Sequence, residues 1–99
     1  MSINTNEENG KLTIKIDGRF DFSIHQEFRN SYENASDSIK EYDIDMRTTS
    51  YLDSSALGML LLLRNYAGGD SSKISISNTS ADVKKILTIS NFDQLFTLT

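Results

Sequence analysis

Tyr51-Leu52-Asp53-Ser54-Ser55-Ala56-Leu57-Gly58 is the stretch on which the reading of this chain turns. Two apolar residues give way to an acid and two hydroxyls, and then to the run Met59-Leu60-Leu61-Leu62-Leu63. A strand ends here and a helix begins. Asp53 or Ser54 can cap the free N–H groups of the first turn. Ser55 then falls at or near the first helical position, with its hydroxyl toward solvent. A helix N-terminus favours negative charge, so a phosphate on Ser55 would meet exposed amides, and Gly58 would leave that turn uncrowded. The Asp53 carboxylate would oppose the phosphate. The modification therefore changes what docks on the surface more than it changes the fold. On periodicity alone, Asp-Ser-Ser ahead of a helix is simply a cap.

The helix that follows is apolar on more than one side, which predicts packing between layers, with Met59 to Leu63 in the core. It runs to Tyr66 and Ala67, and Gly68-Gly69 stops it. Upstream, Tyr42, Ile44 and Met46 alternate with Asp43, Asp45 and Arg47, a strand, and Arg47 to Ser50 reads as polar loop. Further upstream, Ile24, Phe28, Tyr32, Ala35 and Ile39 recur at helical spacing. That predicts a helix from about Ser23 to Ile39, with Ser23 as N-cap and Gln26 completing a capping box. Leu12, Ile14 and Ile16 share one face of a strand over Lys11–Asp17, ended by Gly18. Asn4 to Asn9 is polar and reads as a loop or a turn between two short strands.

Downstream, Lys73 to Ser77 alternates as another strand. Ser80 closes a capped loop, and Val83, Ile86, Leu87 and Ser90 outline a short amphipathic helix. Phe92, Leu95, Phe96 and Leu98 supply a turn and a last short strand. Strands alternating with helices imply an α/β layer structure with part of the sheet parallel.

Composition narrows the function classes. The 99 residues fit one domain. Hydrophobic residues make up 37% and charged residues 24%, a globular balance and not a disordered one. Cysteine is absent, which excludes disulfides and thiolate metal sites and fits a reducing cytoplasm. A net charge of −4 without a basic stripe disfavours nucleic acid as a direct partner. The N-terminus lacks the pattern of a secretory signal, and the longest apolar run is too short to span a bilayer. No phosphate-cradling glycine loop or calcium loop is present. The acidic pairs Glu7-Glu8 and Asp43/Asp45 read as solvated face or loop. His25, the one histidine, has no nucleophile at catalytic spacing and reads as a surface or partner-contact residue. Phe20 and Phe22 flank Asp21 at the mouth of the first helix, with at least one of them buried and the pair a candidate docking patch.

Asp53-Ser54-Ser55-Ala56-Leu57-Gly58, followed by Met59 to Arg64, resembles the signature of STAS domains, in particular the bacterial anti-sigma factor antagonists. Gly18-Arg19-Phe20-Asp21 resembles the family's Gly-x-Leu-Asp element, and Asp45 its acidic strand residue. Asn78-Thr79-Ser80 through Val83, Ile86 and Leu87 resembles its last strand-loop-helix segment. The resemblance covers nearly the whole chain in order. It departs at Ala56, where many members have Gly, at Phe20 for Leu, and at Ser90-Asn91-Phe92 for Ser/Thr-Gly-Leu.

The resemblance implies a single STAS-like domain over residues 1–99, with a central mixed sheet of four to five strands and three or more helices mainly on one side. It implies a free-standing, cytoplasmic, non-enzymatic regulator without cofactor or metal. Such a regulator binds an anti-sigma factor or serine kinase when unphosphorylated. A serine/threonine phosphatase of the metal-dependent class resets it, and neither membrane nor nucleic acid is a direct partner. Carried over by position, Ser55 is the implied phosphoacceptor and Ser54 the second candidate. Asp21, Asp53, Ser54, Phe20, Phe22 and Gly58 are the implied partner or kinase contacts. The alternative is a STAS-like accessory subunit of a lipid or anion transport system.

Overall fold

A computed structural model describes residues 3–99. Its core is a five-stranded sheet built from β1 (Ile3–Glu8), β2 (Lys11–Ile16), β4 (Glu41–Asp45), β6 (Ile74–Ser77) and β7 (Thr97–Leu98), adjacent in that order. β1 and β2 pair antiparallel and the remaining neighbours pair parallel, so the sheet is mixed. Two further strands, β3 (Gly18–Phe20) and β5 (Thr49–Leu52), form a small parallel sheet of their own. Three helices complete the fold: α1 (His25–Glu33), α2 (Ser54–Tyr66) and α3 (Ala81–Ile89).

Strand alternation sends Leu12, Ile14, Ile16, Tyr42, Ile44, Ile74 and Ile76 to one buried face. Thr13, Lys15, Asp43, Asp45, Ser75 and Ser77 alternate with them and stay partly exposed. A single apolar face has to be covered, and the buried residues of the three helices join the same core as those strand residues. Phe20, Phe28, Tyr32 and Tyr66 form a chain of rings with successive centroids 5.1, 5.7 and 5.0 Å apart. The chain links β3 to α1 and α1 to α2.

Several expectations are corrected. Asn4 to Asn9 is largely strand, because Asn9 and Gly10, at φ +52 and +80, make the hairpin turn after it. An Asn-Gly pair is the strongest short hairpin signal, since both residues tolerate positive φ. Arg47 to Ser50 is only partly loop, as Thr49 and Ser50 already belong to β5.

The first helix ends at Glu33 and not near Ile39. Beyond it Ser36 Oγ accepts the Ser38 N–H, and the Ser36 N–H donates to the Glu7 carboxylate. Serine side chains that satisfy nearby backbone compete with helix. Ala35 and Ile39 still pack on the core from an irregular segment. Ser23 is not the N-cap, and no capping box forms. Asp21 caps a 3-10 turn over Phe22–Ile24 that leads into α1, and Gln26 bonds to Asn30 instead.

The leucine run is also corrected. Met59, Leu60 and Leu63 are buried, but Leu61 and Leu62 are exposed, Leu62 at 60%. α2 therefore lies on the sheet with one face open and is not enclosed between layers. Leu60→Ala is expected to cost about 2–5 kcal/mol, as for other cavity-forming core truncations. Leu62→Ala is expected to stay within about 0.5 kcal/mol. Urea unfolding of the two variants checks the contrast.

Candidate functional site

β3 and β5 run side by side with Phe20 paired to Leu52, so the residues that follow them, Asp21 and Asp53, emerge together. Both acids have extended backbone and act as caps. Asp53 Oδ1 accepts the Ala56 N–H at 2.9 Å and the Ser55 hydroxyl at 2.7 Å. Asp21 Oδ1 accepts the Ser23 N–H at 3.0 Å and the Ser23 hydroxyl at 2.5 Å. The cap of α2 is thus Asp53, which places Ser54 at the first helical residue and Ser55 at the second.

Ser54 is exposed and Ser55 is half-buried, its oxygen oriented by a carboxylate. This holds the hydroxyl in a fixed orientation at the positive end of a 13-residue helix. The hydrogen bond from Ser55 holds the Asp53 carboxyl below its ordinary range, and the Ala56 N–H adds to this. Partial burial and the charge of Asp21 act the other way. Asp21 is lowered by the hydroxyl and N–H of Ser23, and then by Arg19. A carboxylate whose pKa is lowered is a weaker base than a free one. Asp53 therefore orients the Ser55 hydroxyl more than it deprotonates it.

Arg19 reaches Asp21 with Nε at 3.3 Å while its guanidinium lies 4.9 Å from the centroid of the Tyr51 ring. Phe22 is 63% exposed and stacks on His25, the ring centroids 4.2 Å apart. The His25 ring nitrogen Nδ1 lies 2.9 Å from the Phe22 carbonyl, which ties His25 to the rim of this site. Phe20 is fully buried and leaves the set of partner contacts. Its ring closes the core beneath the two caps, because β3 turns it inward. Gly58 is exposed, and a Cβ there would meet nothing within 4 Å. No steric demand of the fold requires glycine at this position. Asp45 lies elsewhere, its Oδ1 accepting the Arg47 N–H and the Asn78 amide at a strand end.

The β3–β5 pairing was not read from the sequence. Its signal is present: Arg19-Phe20-Asp21-Phe22-Ser23 and Tyr51-Leu52-Asp53-Ser54-Ser55 share an outward residue, an inward apolar residue and an Asp-x-Ser cap.

Acid should loosen these caps. Asp21 and Asp53 titrate lower in the folded chain than the unfolded value of about 3.9. Their contribution is therefore complete above about pH 4 and is lost as pH falls through the folded values. The urea midpoint should decline below about pH 4. An Asp21→Asn, Asp53→Asn double variant, which keeps capping side chains, should show a shallower decline.

A small one-sided mixed sheet with a paired-cap site defines the class, and comparison with known proteins gives the family. The family model described as "Mlab, STAS domain" matches residues 3–98. A STAS-domain containing protein of Pseudomonas aeruginosa (strain UCBPP-PA14) is 58% identical over 86 residues, covering 87% of this chain and 85% of the relative. The chain belongs to the STAS domain family.

Solved structures share the fold. A putative anti-sigma factor antagonist from Thermotoga maritima superposes with a TM-score of 0.85 at 9% identity, over 97% of this chain and 84% of that one. The Bacillus cell fate determinant SpoIIAA in its phosphorylated form superposes at 0.67 and 14% identity, over 98% and 90%. A sulfate transporter family protein from Wolinella succinogenes superposes at 0.76 and 14% identity, over 93% and 80%. Among the described residues no helix is long and apolar enough to cross a membrane, and no cluster of His, Cys, Asp and Glu could hold a metal ion.

Proposed function

We propose that this chain is an anti-sigma factor antagonist that acts by partner switching, with Ser55 as the phosphoacceptor and no catalytic activity of its own. The observation that carries the reading is the Ser55 hydroxyl, oriented by Asp53 at 2.7 Å beside the Asp21 cap and the exposed Phe22 ring. The fold shared with anti-sigma factor antagonists supports it.

Unphosphorylated, the surface offers a hydroxyl, an aromatic ring and two capped carboxylates to an anti-sigma factor or serine kinase. Phosphorylation adds about −1.5 to −2 charge beside Asp53 and Asp21. A partner seated over the caps must then desolvate three anions together, which weakens docking. A serine/threonine phosphatase of the metal-dependent class restores the hydroxyl. Cytoplasmic location follows from partners of this kind.

A second reading rests on the fold shared with a sulfate transporter family protein. Here the chain is an accessory subunit of a lipid or anion transport system, and Ser55 is only a helix cap. Affinity capture from the source cell, with phosphosite mapping of the bait, separates the two. Capture of an anti-sigma factor or serine kinase by unphosphorylated bait alone supports the switch. Capture of a transporter ATPase by unmodified and phosphorylated bait alike overturns it.

A further inference from the structure

We infer that Ser23 is a second phosphoacceptor of this chain, one whose phosphate is held by Arg19. The inference rests on the phosphoswitch reading of Ser55, because it extends the same chemistry to the neighbouring hydroxyl.

Ser23 has the surroundings that single out Ser55. Its hydroxyl donates to Asp21 Oδ1 at 2.5 Å, as the Ser55 hydroxyl donates to Asp53 Oδ1 at 2.7 Å on the paired strand; Asp21 Oδ1 also accepts the Ser23 N–H, where Asp53 Oδ1 accepts that of Ala56. It is also the more accessible of the two, exposed where Ser55 is half-buried. Asp21 and Asp53 follow directly on paired residues, so the two capped hydroxyls belong to neighbouring strand ends.

A second and independent observation is the cation. Arg19 Nε sits 3.3 Å from the Asp21 oxygen that does not serve Ser23. The face of Tyr51 steadies the guanidinium at 4.9 Å, while the side chain remains 69% exposed. A phosphate on Ser23 would lie beside a guanidinium already positioned for charge-assisted, forked hydrogen bonds. Among the described residues no cation pairs with Asp53 or bonds to Ser55. Asp53 is met by Ser55, Ala56 and the repelling charge of Asp21. Phosphate at Ser23 would therefore have a cation of the chain beside it, and phosphate at Ser55 would not.

The step is ordinary phosphoryl transfer from a nucleoside triphosphate bound by the kinase. The Ser23 Oγ–P bond forms, the bond from the γ phosphorus to the bridging oxygen breaks, and nucleoside diphosphate leaves. The hydroxyl proton passes to a carboxylate base of the kinase and from there to water, while Asp21 orients the hydroxyl through the hydrogen bond it accepts.

The test is phosphosite mapping by fragment mass spectrometry on whole chain recovered from source cells as wild type, Ser55→Ala and Ser23→Ala. Phosphate on Ser23 in wild type, retained in Ser55→Ala, is the expected result. Phosphate on Ser55 of the wild type with none on Ser23 in any variant overturns this inference and leaves the proposed function standing. Phosphate on Ser23 alone removes Ser55 from the switch and overturns the reading of Ser23 as a second acceptor beside it. Phosphate on neither overturns both. A second measurement tests Arg19 on chain carrying phosphoserine at position 23. The phosphorus NMR titration midpoint should rise on Arg19→Gln, because losing the cation disfavours the dianion. An unchanged midpoint overturns the role of Arg19.

Discussion

Ser55→Asp is expected to bind the anti-sigma or kinase partner more than a hundredfold more weakly than Ser55→Ala, with both variants folded. The two substitutions do different things to the cap. Alanine removes the hydroxyl bonded to Asp53 but leaves the bond from the Ala56 N–H to the same carboxylate. Its cost to stability is about 1 kcal/mol, the net worth of one hydrogen bond, partly offset by better helix propensity. Aspartate places a carboxylate two residues from Asp53, which already sits within the field of Asp21. In free chain water screens these charges, and the helix end favours them. Under a docked partner they lose that water together. About 3 kcal/mol of lost affinity corresponds to the hundredfold change. Titration calorimetry with purified partner, with melting curves showing both variants folded, reads the result. Equal affinities would leave Ser55 as a structural cap.

The parts of the fold legible in the sequence are those where one face decides the pattern. Leu12, Ile14 and Ile16, or Val83 and Leu87, alternate or recur because a single layer covers them, and their elements stand where periodicity placed them. Periodicity failed in three ways. Ala35 and Ile39 keep helical spacing and still touch the core, but from a segment whose serines satisfy the backbone locally. Leu61 and Leu62 extend an apolar run without being buried, since composition does not say which face a helix turns outward. Two short strands, Gly18–Phe20 and Thr49–Leu52, carry too few residues for a period, and their pairing is a long-range event.

That pairing is what builds the site. The sequence marked Asp53 and Ser55 through local capping chemistry, and resemblance added Asp21. Neither shows that the acids emerge side by side, or that each holds a serine hydroxyl. Register between distant strands supplies that, with Arg19 and Tyr51 brought together on the outer side of the same pair. Local signals therefore pointed to the capped hydroxyl of the candidate site, and tertiary pairing determined its neighbours.

Phe20 and Phe22, one residue either side of Asp21, should fail in opposite ways when truncated. Phe20 is 0% exposed and packs 5.1 Å from the Phe28 ring, at the head of the aromatic chain that ties β3 to the helices. Phe20→Ala opens a cavity where β3, α1 and the caps meet, at a cost of about 3–5 kcal/mol. Domains of this size hold about 5–15 kcal/mol in all, so this is a large share of the total. A melting temperature lowered by at least about 12 °C is expected. Partner binding would be lost only to the extent that the chain unfolds. Phe22, stacked on His25 in solvent, contributes little to stability, and Phe22→Ala should remain within about 0.5 kcal/mol of wild type. Its ring is the exposed large apolar group nearest in sequence to the Asp21 cap, and aromatic side chains carry more than about 1 kcal/mol in many interfaces. A fall in partner affinity of about fivefold or more is therefore expected with the melting curve unmoved. Calorimetric melting and partner titration, run on both variants, separate the two roles. A Phe22→Ala chain that binds like wild type would place the docking surface away from the mouth of α1, on the open face of α2 that Leu61 and Leu62 share.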